Sequence, residues 1–409
     1  MTGSGGAESA YRRLESAVGD RDAPLAVVDM EALRANASAM VAQAGGLPIR
    51  VASKSVRCVE VLRRVLAMPG YAGVLAFTPA EAVHLADEGV TDDLLVAYPS
   101  VDRGALATVA RRVADGRPGR IVLMVDSVEG AAFVSAAAAG AGVRLPVAIE
   151  VDTAWRPARG IAAGALRSPV RTPDDAAALA RALVTDEHLE LVAMMAYDAQ
   201  VAGVGDHVRG KPLRSAAVRA MQSASLRELT ERLPRVVAAV RAEVDRGGGT
   251  LELVNGGGTG SLSRIGVTRA VTELAAGSGL FAPTLFDGYR SLHLRPAALF
   301  ALPVVRRPGP GVVTVLGGGY VASGPAGKDR LPTPVLPVRL RLTITEGAGE
   351  VQTPVRGAAA DRLALGDRVW FRHTKAGELC ERFDTLLLVE GDTVVDEVAT
   401  YRGDGHAFA

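Results

Sequence analysis

The sequence predicts an α/β protein in which a (β/α)8 barrel of the TIM type is followed by a smaller antiparallel β-domain. From Leu25 onward, short β-branched runs alternate with Ala-, Leu- and Arg-rich stretches of helical spacing, which is typical of parallel strands joined by helices. After Phe286 the helical spacing disappears, and short β-rich runs separated by Gly and Pro follow. We therefore divide the chain into an N-terminal tail (1–22), a barrel (23–285) and a β-domain (286–409).

The barrel prediction rests on the number of candidate strands. Eight strands joined by right-handed crossovers fit a closed barrel better than an open sheet. The eight runs are Ile49–Ser53, Gly73–Phe77, Leu94–Tyr98, Ile121–Asp126, Val147–Asp152, Leu189–Tyr197, Leu251–Asn255 and Val271–Ala275. An earlier run, Leu25–Asp29, is left over, and we expect it to lie outside the barrel, as a strand that joins the β-domain.

The terminal regions carry weaker signals. The first twenty or so residues are small and polar, which predicts a mobile tail or a short helix. In the β-domain, the runs that read as strands are Val312–Leu316, Val335–Thr345, Arg368–His373 and Thr385–Val389.

Composition excludes several classes of protein. The 409 residues are 48% hydrophobic and carry a formal net charge of +1, so there is no basic surface typical of nucleic-acid binding. No apolar run reaches the roughly 18 residues of a membrane span or resembles a signal peptide, and we expect a cytoplasmic protein without nucleic-acid or membrane partners. Only two cysteines occur, Cys58 and Cys380, and they do not indicate a disulfide framework.

The first chemical signal is Lys54, at the end of the apolar segment Arg50-Val-Ala-Ser-Lys54. Barrel chemistry takes place at the C-terminal ends of the strands. A lysine partly removed from water there can react with a carbonyl group through its amine. The alternative, a lysine that merely extends from a strand end into solvent, fits this segment equally well.

The second signal is a glycine-rich segment, Leu253-Val-Asn-Gly-Gly-Gly-Thr-Gly-Ser261, after the seventh barrel strand. Consecutive glycines allow backbone amides to approach a phosphate, and Thr259 and Ser261 add hydroxyl donors. Phosphate sites in barrels often use the loops after strands seven and eight. The run Gly277-Ser-Gly-Leu-Phe281 after the eighth strand could close the same pocket.

Together these features resemble the pyridoxal-phosphate (PLP) enzymes of the alanine racemase fold, fold type III, and within it the D-threonine aldolase and D-serine dehydratase branch. The resemblance covers nearly the whole chain from about Pro24. It rests on the order and spacing of modest motifs: Pro24–Asp29 with Asn36, Arg50-x-x-x-Lys54, Met195-Ala-Tyr-Asp198, Gly256-Gly-Gly-Thr259 and the region His373…Asp384.

The resemblance implies a role for each matching residue. Lys54 would carry PLP covalently, and Arg50 would help hold its ring or phosphate. Tyr197 would face the cofactor, and Arg156, with Arg159 as a rival, would lie near the pyridine nitrogen. The phosphate would be bound by the glycine loop, to which we assign Asn255, Gly257, Gly258, Thr259 and Gly260. A homodimer is also implied.

The departures from this branch concern the reaction itself. Ala52 and Gln200 stand where the branch usually has histidines, and His373-Thr-Lys375 stands where it has a metal-binding His-x-Cys or His-x-Asp. A lysine ammonium is no metal ligand at neutral pH. We therefore do not favour a divalent metal; if one is bound, His373 would hold it with Cys380 or Glu378.

The resulting prediction is a PLP-dependent lyase that acts on a β-hydroxy-α-amino acid, by retro-aldol cleavage or by dehydration and deamination. Lys54 would transfer protons, and Tyr197 or His373 would act at the β-oxygen. Lys375 would supply the positive charge that a metal supplies in the branch.

Two alternatives remain. An amino-acid racemase of the same fold would need a second base, for which Tyr289 and Tyr320 are candidates from a partner subunit. A non-catalytic PLP-binding protein would resemble the barrel alone, which the long β-domain argues against.

Overall fold

The computed structural model describes residues 4–408. Of the two alternatives for the N-terminal segment, the chain forms the helix, α1 (Ser4–Val18), followed by strand β1 (Leu25–Asp29) and helix α2 (Met30–Gln43). Leu14 and Val18 are buried against the β-domain, and the indole Nε1 of Trp370 donates a hydrogen bond to Glu15 (2.7 Å).

Eight parallel strands form a closed barrel, as the sequence predicts. They are β2 Ile49–Ala52, β3 Tyr71–Ala76, β4 Asp93–Val96, β5 Arg120–Val125, β6 Leu145–Glu150, β9 Leu189–Ala196, β10 Leu253–Gly256 and β11 Glu273–Ala276. Their order around the barrel is β10, β11, β2, β3, β4, β5, β6 and β9. Each of the eight predicted runs therefore corresponds to one barrel strand.

The helices that follow the strands pack around the barrel. They are α3 Val59–Leu66, α4 Pro79–Asp87, α5 Arg103–Ala114, α6 Val128–Ala141, α7 Pro173–Thr185, α8 Ala199–Ala202, α9 Pro212–Arg246, α10 Leu262–Ile265 and α11 Ser278–Phe281. Between β6 and α7 the chain makes an exposed hairpin, β7 (Trp155–Ala158) and β8 (Ile161–Ala163). This hairpin is not predicted from the sequence because it is too short and too exposed to show an apolar alternation.

The second domain contains a nine-stranded, mostly antiparallel sheet. Its strands after the barrel are β12 Ala298–Gly309, β13 Val312–Leu316, β14 Thr333–Leu336, β15 Arg341–Leu342, β16 Gln352–Arg356, β17 Arg368–Arg372, β18 Thr385–Glu390 and β19 Thr393–Ala399. Strand β1 lies in this sheet, antiparallel to β12 and parallel to β18. The predicted run 335–345 is wrong as one strand: it divides into β14 and β15 around Pro337, which has no amide hydrogen to donate to a sheet.

Among residues 4–408, no helix combines the length and the apolar character that crossing a membrane requires.

A cluster of charges around Arg50 lies at the N-terminal ends of the barrel strands, where Asp93 begins β4 and Glu273 begins β11. The Arg50 guanidinium donates to Glu273 from Nε (2.6 Å) and Nη2 (3.0 Å), and to Asp93 from Nη1 and Nη2 (2.9 and 2.8 Å). Gly73, in the left-handed region at φ +70°, makes room for it, since a Cβ there would lie 2.5 Å from Arg50 Nη1. The Arg50 side chain is 1% exposed and that of Glu273 is 9% exposed. Each of these buried charges therefore needs the other to offset the free energy lost when it leaves water.

The substitution Glu273→Gln tests how much this pair stabilises the barrel. We expect the free energy of unfolding in urea to fall by about 3 kcal/mol, because a buried guanidinium loses one of its two charged partners. The matched control is Glu252→Gln, which breaks the half-exposed pair with Arg120 and should cost less than about 1 kcal/mol. Equal losses for the two variants would show that burial of the Arg50 pair adds nothing.

Candidate active site

A cavity of about 320 Å³ lies at the C-terminal ends of the barrel strands, where barrel enzymes place their chemistry. Its lower part is formed by the ends of β2, β4, β9, β10 and β11 and the loops after them. Ser323, Lys375 and Glu378 from the β-domain of the same chain form part of its wall. One chain thus brings both of its domains to a single cavity.

Lys54 lies in this cavity, in a single 3-10 turn (Ser53–Ser55) directly after β2. Its Nζ lies 2.5 Å from the hydroxyl oxygen of Tyr98, which follows β4. Lys54 is exposed, which differs from the partial removal from water expected at a strand end. The environment of the amine is therefore set by Tyr98 rather than by burial.

Tyr98 and Arg167 are cavity residues that the sequence analysis missed. The Arg167 guanidinium lies over the Tyr98 ring, 5.4 Å from its centroid. Tyr98 could have been found from its place at the end of a predicted barrel strand. Arg167 lies in an irregular loop before α7, and no sequence pattern indicates that this loop returns to the barrel mouth.

The structure does not bring Arg156 into the cavity, which corrects its expected place near a pyridine ring. Arg156 lies on the exposed strand β7, and its guanidinium pairs with Asp152 (2.6 Å). Its rival Arg159 is exposed in the turn between β7 and β8. Both arginines of the hairpin lie outside the cavity, whereas Arg167 and Arg57 line it.

The glycine loop after β10 borders the same cavity, and in the barrel one strand, β11, separates β10 from β2, the strand that leads to Lys54. Gly257, Gly258 and Thr259 line the cavity, and Gly257 adopts φ +78°. Gly260 lies behind them, where a Cβ would overlap the Ala202 carbonyl oxygen and lie 2.5 Å from the Tyr289 ring. The positive φ of Gly257 and the close packing at Gly260 both require glycine, so the backbone of this loop borders the cavity where an anionic group could approach its amides.

The loops after β10 and β11 are joined directly. The amide of Gly279, after β11, donates to Thr259 Oγ1, after β10 (3.1 Å). The loop after β11 also contacts the turn after β2, because the hydroxyls of Ser278 and Ser55 are 2.8 Å apart. The loop that follows β11 therefore lies beside the glycine loop, as expected for the two late loops of a barrel.

Asn255 and Arg50 occupy two successive layers at the bottom of the site. Asn255 lines the cavity and donates from Nδ2 to Glu273 Oε1 (2.7 Å), and Glu273 in turn pairs with Arg50. Arg50 itself does not line the cavity, which corrects its expected contact with a ring or phosphate. Its side chain instead reaches Asp93, the first residue of β4, at the opposite end of the strands.

Tyr197 lines the cavity at the end of β9, and burial raises its pKa to about 12. Gln200, three residues later, does not reach the cavity. Its Nε2 donates to the Thr153 carbonyl (2.7 Å) and to Ser225 Oγ (2.8 Å), so this buried side chain ties α8 to its neighbours.

The β-domain places one cation in the cavity wall. Lys375 Nζ lies 2.5 Å from Ser323 Oγ and 4.0 Å from the Glu378 carboxylate. The same carboxylate accepts hydrogen bonds from the Ser323 amide (3.2 Å). These contacts fix the Lys375 ammonium, although the side chain remains 46% exposed.

His373 lies outside this cavity, which corrects its predicted catalytic position. It lines a second cavity of about 210 Å³, which Lys375 also lines, and neither ring nitrogen has a hydrogen-bond partner among residues 4–408. Burial, together with the charge of Arg372, lowers the pKa of His373 to about 3. The imidazole is therefore neutral at physiological pH and cannot act there as an acid.

The donor groups near His373 do not fit a divalent metal site. Cys380 Sγ donates to the Val56 carbonyl (3.2 Å), and burial raises the pKa of this thiol. Glu378 is engaged by Ser323 and Lys375. Within residues 4–408, no group of three or more His, Cys, Asp or Glu side chains is arranged to hold a metal ion.

The two tyrosines considered as a racemase base have other contacts. Tyr289 lines the cavity, but its hydroxyl donates to the Ala202 carbonyl (2.8 Å). Tyr320 lies in the second cavity and packs against Phe300 and Phe383.

Comparisons with known proteins agree with this geometry. A model of the alanine racemase N-terminal domain matches residues 28–266, more than half of the chain. D-threonine aldolase of Arthrobacter sp. is 27% identical over 264 residues, which are 64% of this chain and 61% of that protein. The 3-hydroxy-D-aspartate aldolase of Paracoccus denitrificans (strain Pd 1222) is 27% identical over 260 residues, 63% of this chain and 60% of that protein. These matches span about three fifths of the relatives' own length.

Solved structures share the two-domain fold. D-threonine aldolase from Filomicrobium marinum superposes with a TM-score of 0.75 at 22% identity, covering 93% of this chain and 95% of that chain. D-threo-3-hydroxyaspartate dehydratase from Delftia sp. HT23 has a TM-score of 0.70 at 19% identity, covering 93% and 98%. At these identities the structures support the fold alone. Because the family model covers most of the barrel, the chain belongs to the alanine racemase N-terminal domain family.

Proposed function

We propose that this protein is a PLP-dependent lyase that acts on a β-hydroxy-α-amino acid, by retro-aldol cleavage or by dehydration and deamination. One observation carries the proposal: an exposed lysine amine and a glycine loop share a strand-end cavity with Lys375, a cation from the second domain. The named relatives, which include a D-threonine aldolase and a 3-hydroxyaspartate aldolase, support the substrate class.

The residues of the cavity fit PLP. Gly257 and Gly258 line the cavity without side chains, so a phosphate can approach the backbone of this loop. A Cβ at Gly258 would crowd Ala202 Cβ (2.9 Å) and the Tyr197 ring (3.2 Å), so the loop passes directly beside Tyr197. Asn255 and Thr259 offer polar groups next to it. A volume of about 320 Å³ lies in the range of small-molecule sites. When bound, PLP withdraws electrons from the bonds at Cα of an amino acid and weakens them.

The protein's own residues would then divide the remaining work. Lys54 would hold the cofactor and carry protons at Cα, and Arg167 and Lys375 would attract the negatively charged groups of the substrate. Tyr197 and Lys375 would act at the β-oxygen. We do not assign this role to His373, because the imidazole faces the second cavity.

The two alternatives have less support. A racemase would need a free second base, and the Tyr289 hydroxyl is engaged by the Ala202 carbonyl while burial raises its pKa. A non-catalytic PLP-binding protein does not need a second domain that lines the cavity with Lys375 and Glu378. We further propose a homodimer, the commonest assembly of soluble proteins.

Product analysis tests the proposed reaction. The holoenzyme is incubated separately with D- and L-threonine, D- and L-serine and D- and L-alanine, and aldehyde, keto acid and the opposite enantiomer are each measured. We expect an aldehyde or a keto acid from one enantiomer of a β-hydroxy amino acid, and no product from alanine. Interconversion of D- and L-alanine would favour the racemase, and no turnover of any amino acid would favour the non-catalytic protein.

The substitution Gly260→Ala tests the proposed phosphate loop. The added methyl group overlaps the Ala202 carbonyl oxygen, so the loop must shift and the affinity for PLP should fall at least roughly tenfold. The control is Gly140→Ala in α6, where the methyl group meets nothing within 4 Å. Equilibrium dialysis with PLP measures both variants. Unchanged affinity in Gly260→Ala would contradict the assignment of the loop.

The proposed role of Lys375 predicts activity without a divalent metal. Activity should survive exhaustive chelation and should not rise on addition of manganese or zinc. Lys375→Ala should cost about 2 kcal/mol of transition-state stabilisation, the low end for a preorganised charge because the side chain is half exposed. This corresponds to roughly thirtyfold in kcat/KM.

The control for this prediction is Lys328→Ala, which removes an exposed lysine that does not line the cavity. Stoichiometric metal bound through His373, or a Lys375→Ala enzyme as active as the control, would refute the role of Lys375.

A further inference from the structure

Tyr98 differs electrostatically from every other tyrosine of the chain. The sequence contains seven tyrosines. Burial raises the pKa of the other six, Tyr11, Tyr71, Tyr197, Tyr289, Tyr320 and Tyr401. Burial also acts to raise the pKa of Tyr98, but the charges and hydrogen bonds of Lys54 and Arg167 outweigh it and lower that pKa below its usual value. Tyr98 is thus the one tyrosine of the seven whose pKa is lowered, because the two neighbouring cations stabilise its ionised form.

The geometry explains this difference. Tyr98 is half-buried at the end of β4, and its hydroxyl oxygen lies 2.5 Å from Lys54 Nζ. Arg167 covers the ring from the loop before α7, 5.4 Å from the centroid. Tyr197 at the end of β9 and Lys375 from the β-domain also face Tyr98 at longer range. The charged groups around the phenol are therefore cations from three separate parts of the chain.

The contact concerns the atom on which the proposed function depends. An ammonium cannot react with an aldehyde until it loses a proton, because its nitrogen has no free electron pair. The Tyr98 oxygen is within hydrogen-bonding distance of the Lys54 nitrogen and can accept the proton directly.

We propose that Tyr98 is a catalytic residue that accepts a proton from Lys54 Nζ, an inference that rests on the proposed function of Lys54 as the PLP-binding lysine. In this step the N–H bond breaks and the O–H bond forms. The ammonium becomes a neutral amine, the phenolate becomes a phenol, and nothing is oxidised or reduced. The reverse transfer returns the proton to Lys54 when the amine is released again.

The first test uses the cofactor-free, full-length protein. The ultraviolet absorbance of tyrosinate is titrated in the wild type, in Tyr98→Phe and in the matched control Tyr11→Phe, which removes a phenol of α1 remote from the cavity. We expect one tyrosine to ionise below pH 10, the usual value, in the wild type and the control, and none in Tyr98→Phe. Persistence of this titration in Tyr98→Phe would overturn the proposal.

Lys54→Met adds a test of the cause. Removal of the ammonium should shift the early titration upward, since the Lys54 charge is a main reason for it. An unchanged titration in this variant would show that the two side chains are not coupled, and the proposal would fail.

The second test measures the rate at which added PLP becomes covalently attached, by absorbance and by trapping with borohydride. At neutral pH, Tyr98→Phe should attach PLP roughly 100-fold more slowly than the wild type, the low end for loss of a general base. Tyr11→Phe should match the wild type. Equal rates in Tyr98→Phe and Tyr11→Phe would refute the role of Tyr98.

Failure of the proposed function and failure of the role of Tyr98 give different results in these experiments. A wild-type protein that never attaches PLP contradicts the proposed function. A wild type that attaches PLP while Tyr98→Phe is unimpaired contradicts the role of Tyr98 alone. Circular dichroism of each variant verifies that the fold is retained.

Discussion

The site depends on a direct backbone contact between the β-domain and the turn that carries the reactive lysine. Gly377, at φ +84°, lies so close to this turn that a Cβ would overlap the Lys54 carbonyl oxygen. The same oxygen accepts a hydrogen bond from Arg57 Nε (3.1 Å). This close approach leaves no room for a side chain at position 377 and brings the backbone of the β-domain directly onto the turn that carries Lys54. The segment around Gly377 then places Lys375 in the wall opposite the barrel strands.

The chain path supports this contact from the other side of the molecule. Strand β1 lies in the sheet of the β-domain, and the next helix, α2, packs in the core that includes the barrel strands. Asn36 of α2 donates to the carbonyls of Leu280 (3.1 Å) and Arg295 (2.7 Å), and its oxygen accepts from the Arg295 amide (2.7 Å). One buried side chain thus ties α2 to both ends of the segment that leads from the barrel to the β-domain. The chain therefore crosses between the two domains twice, after β1 and before β12, and both domains line the same cavity.

The sequence predicts those features that local pattern controls. The barrel strands are apolar runs bounded by turns, and each lies within a few residues of its expected position. Lys54 and the glycine loop could be found because each follows a recognisable strand. Strands β12, β16 and β19 were missed, and two of them contain Pro303 or Pro354, which weaken a strand pattern in the sequence. Arg167 could not be found because its loop is irregular. The contact of Tyr98 with Lys54 could not be predicted either, because it forms only when the barrel brings β2 and β4 together.

Identification of the lysine that carries PLP tests the central claim most directly. The chain has only four lysines, Lys54, Lys211, Lys328 and Lys375, and two of them, Lys54 and Lys375, line the cavity. The holoenzyme is reduced with borohydride and digested, and the modified peptide is identified by mass spectrometry. We predict a single modified residue, Lys54. Modification of Lys375 instead, or a colourless protein that takes up no PLP and yields no modified peptide, would contradict the account.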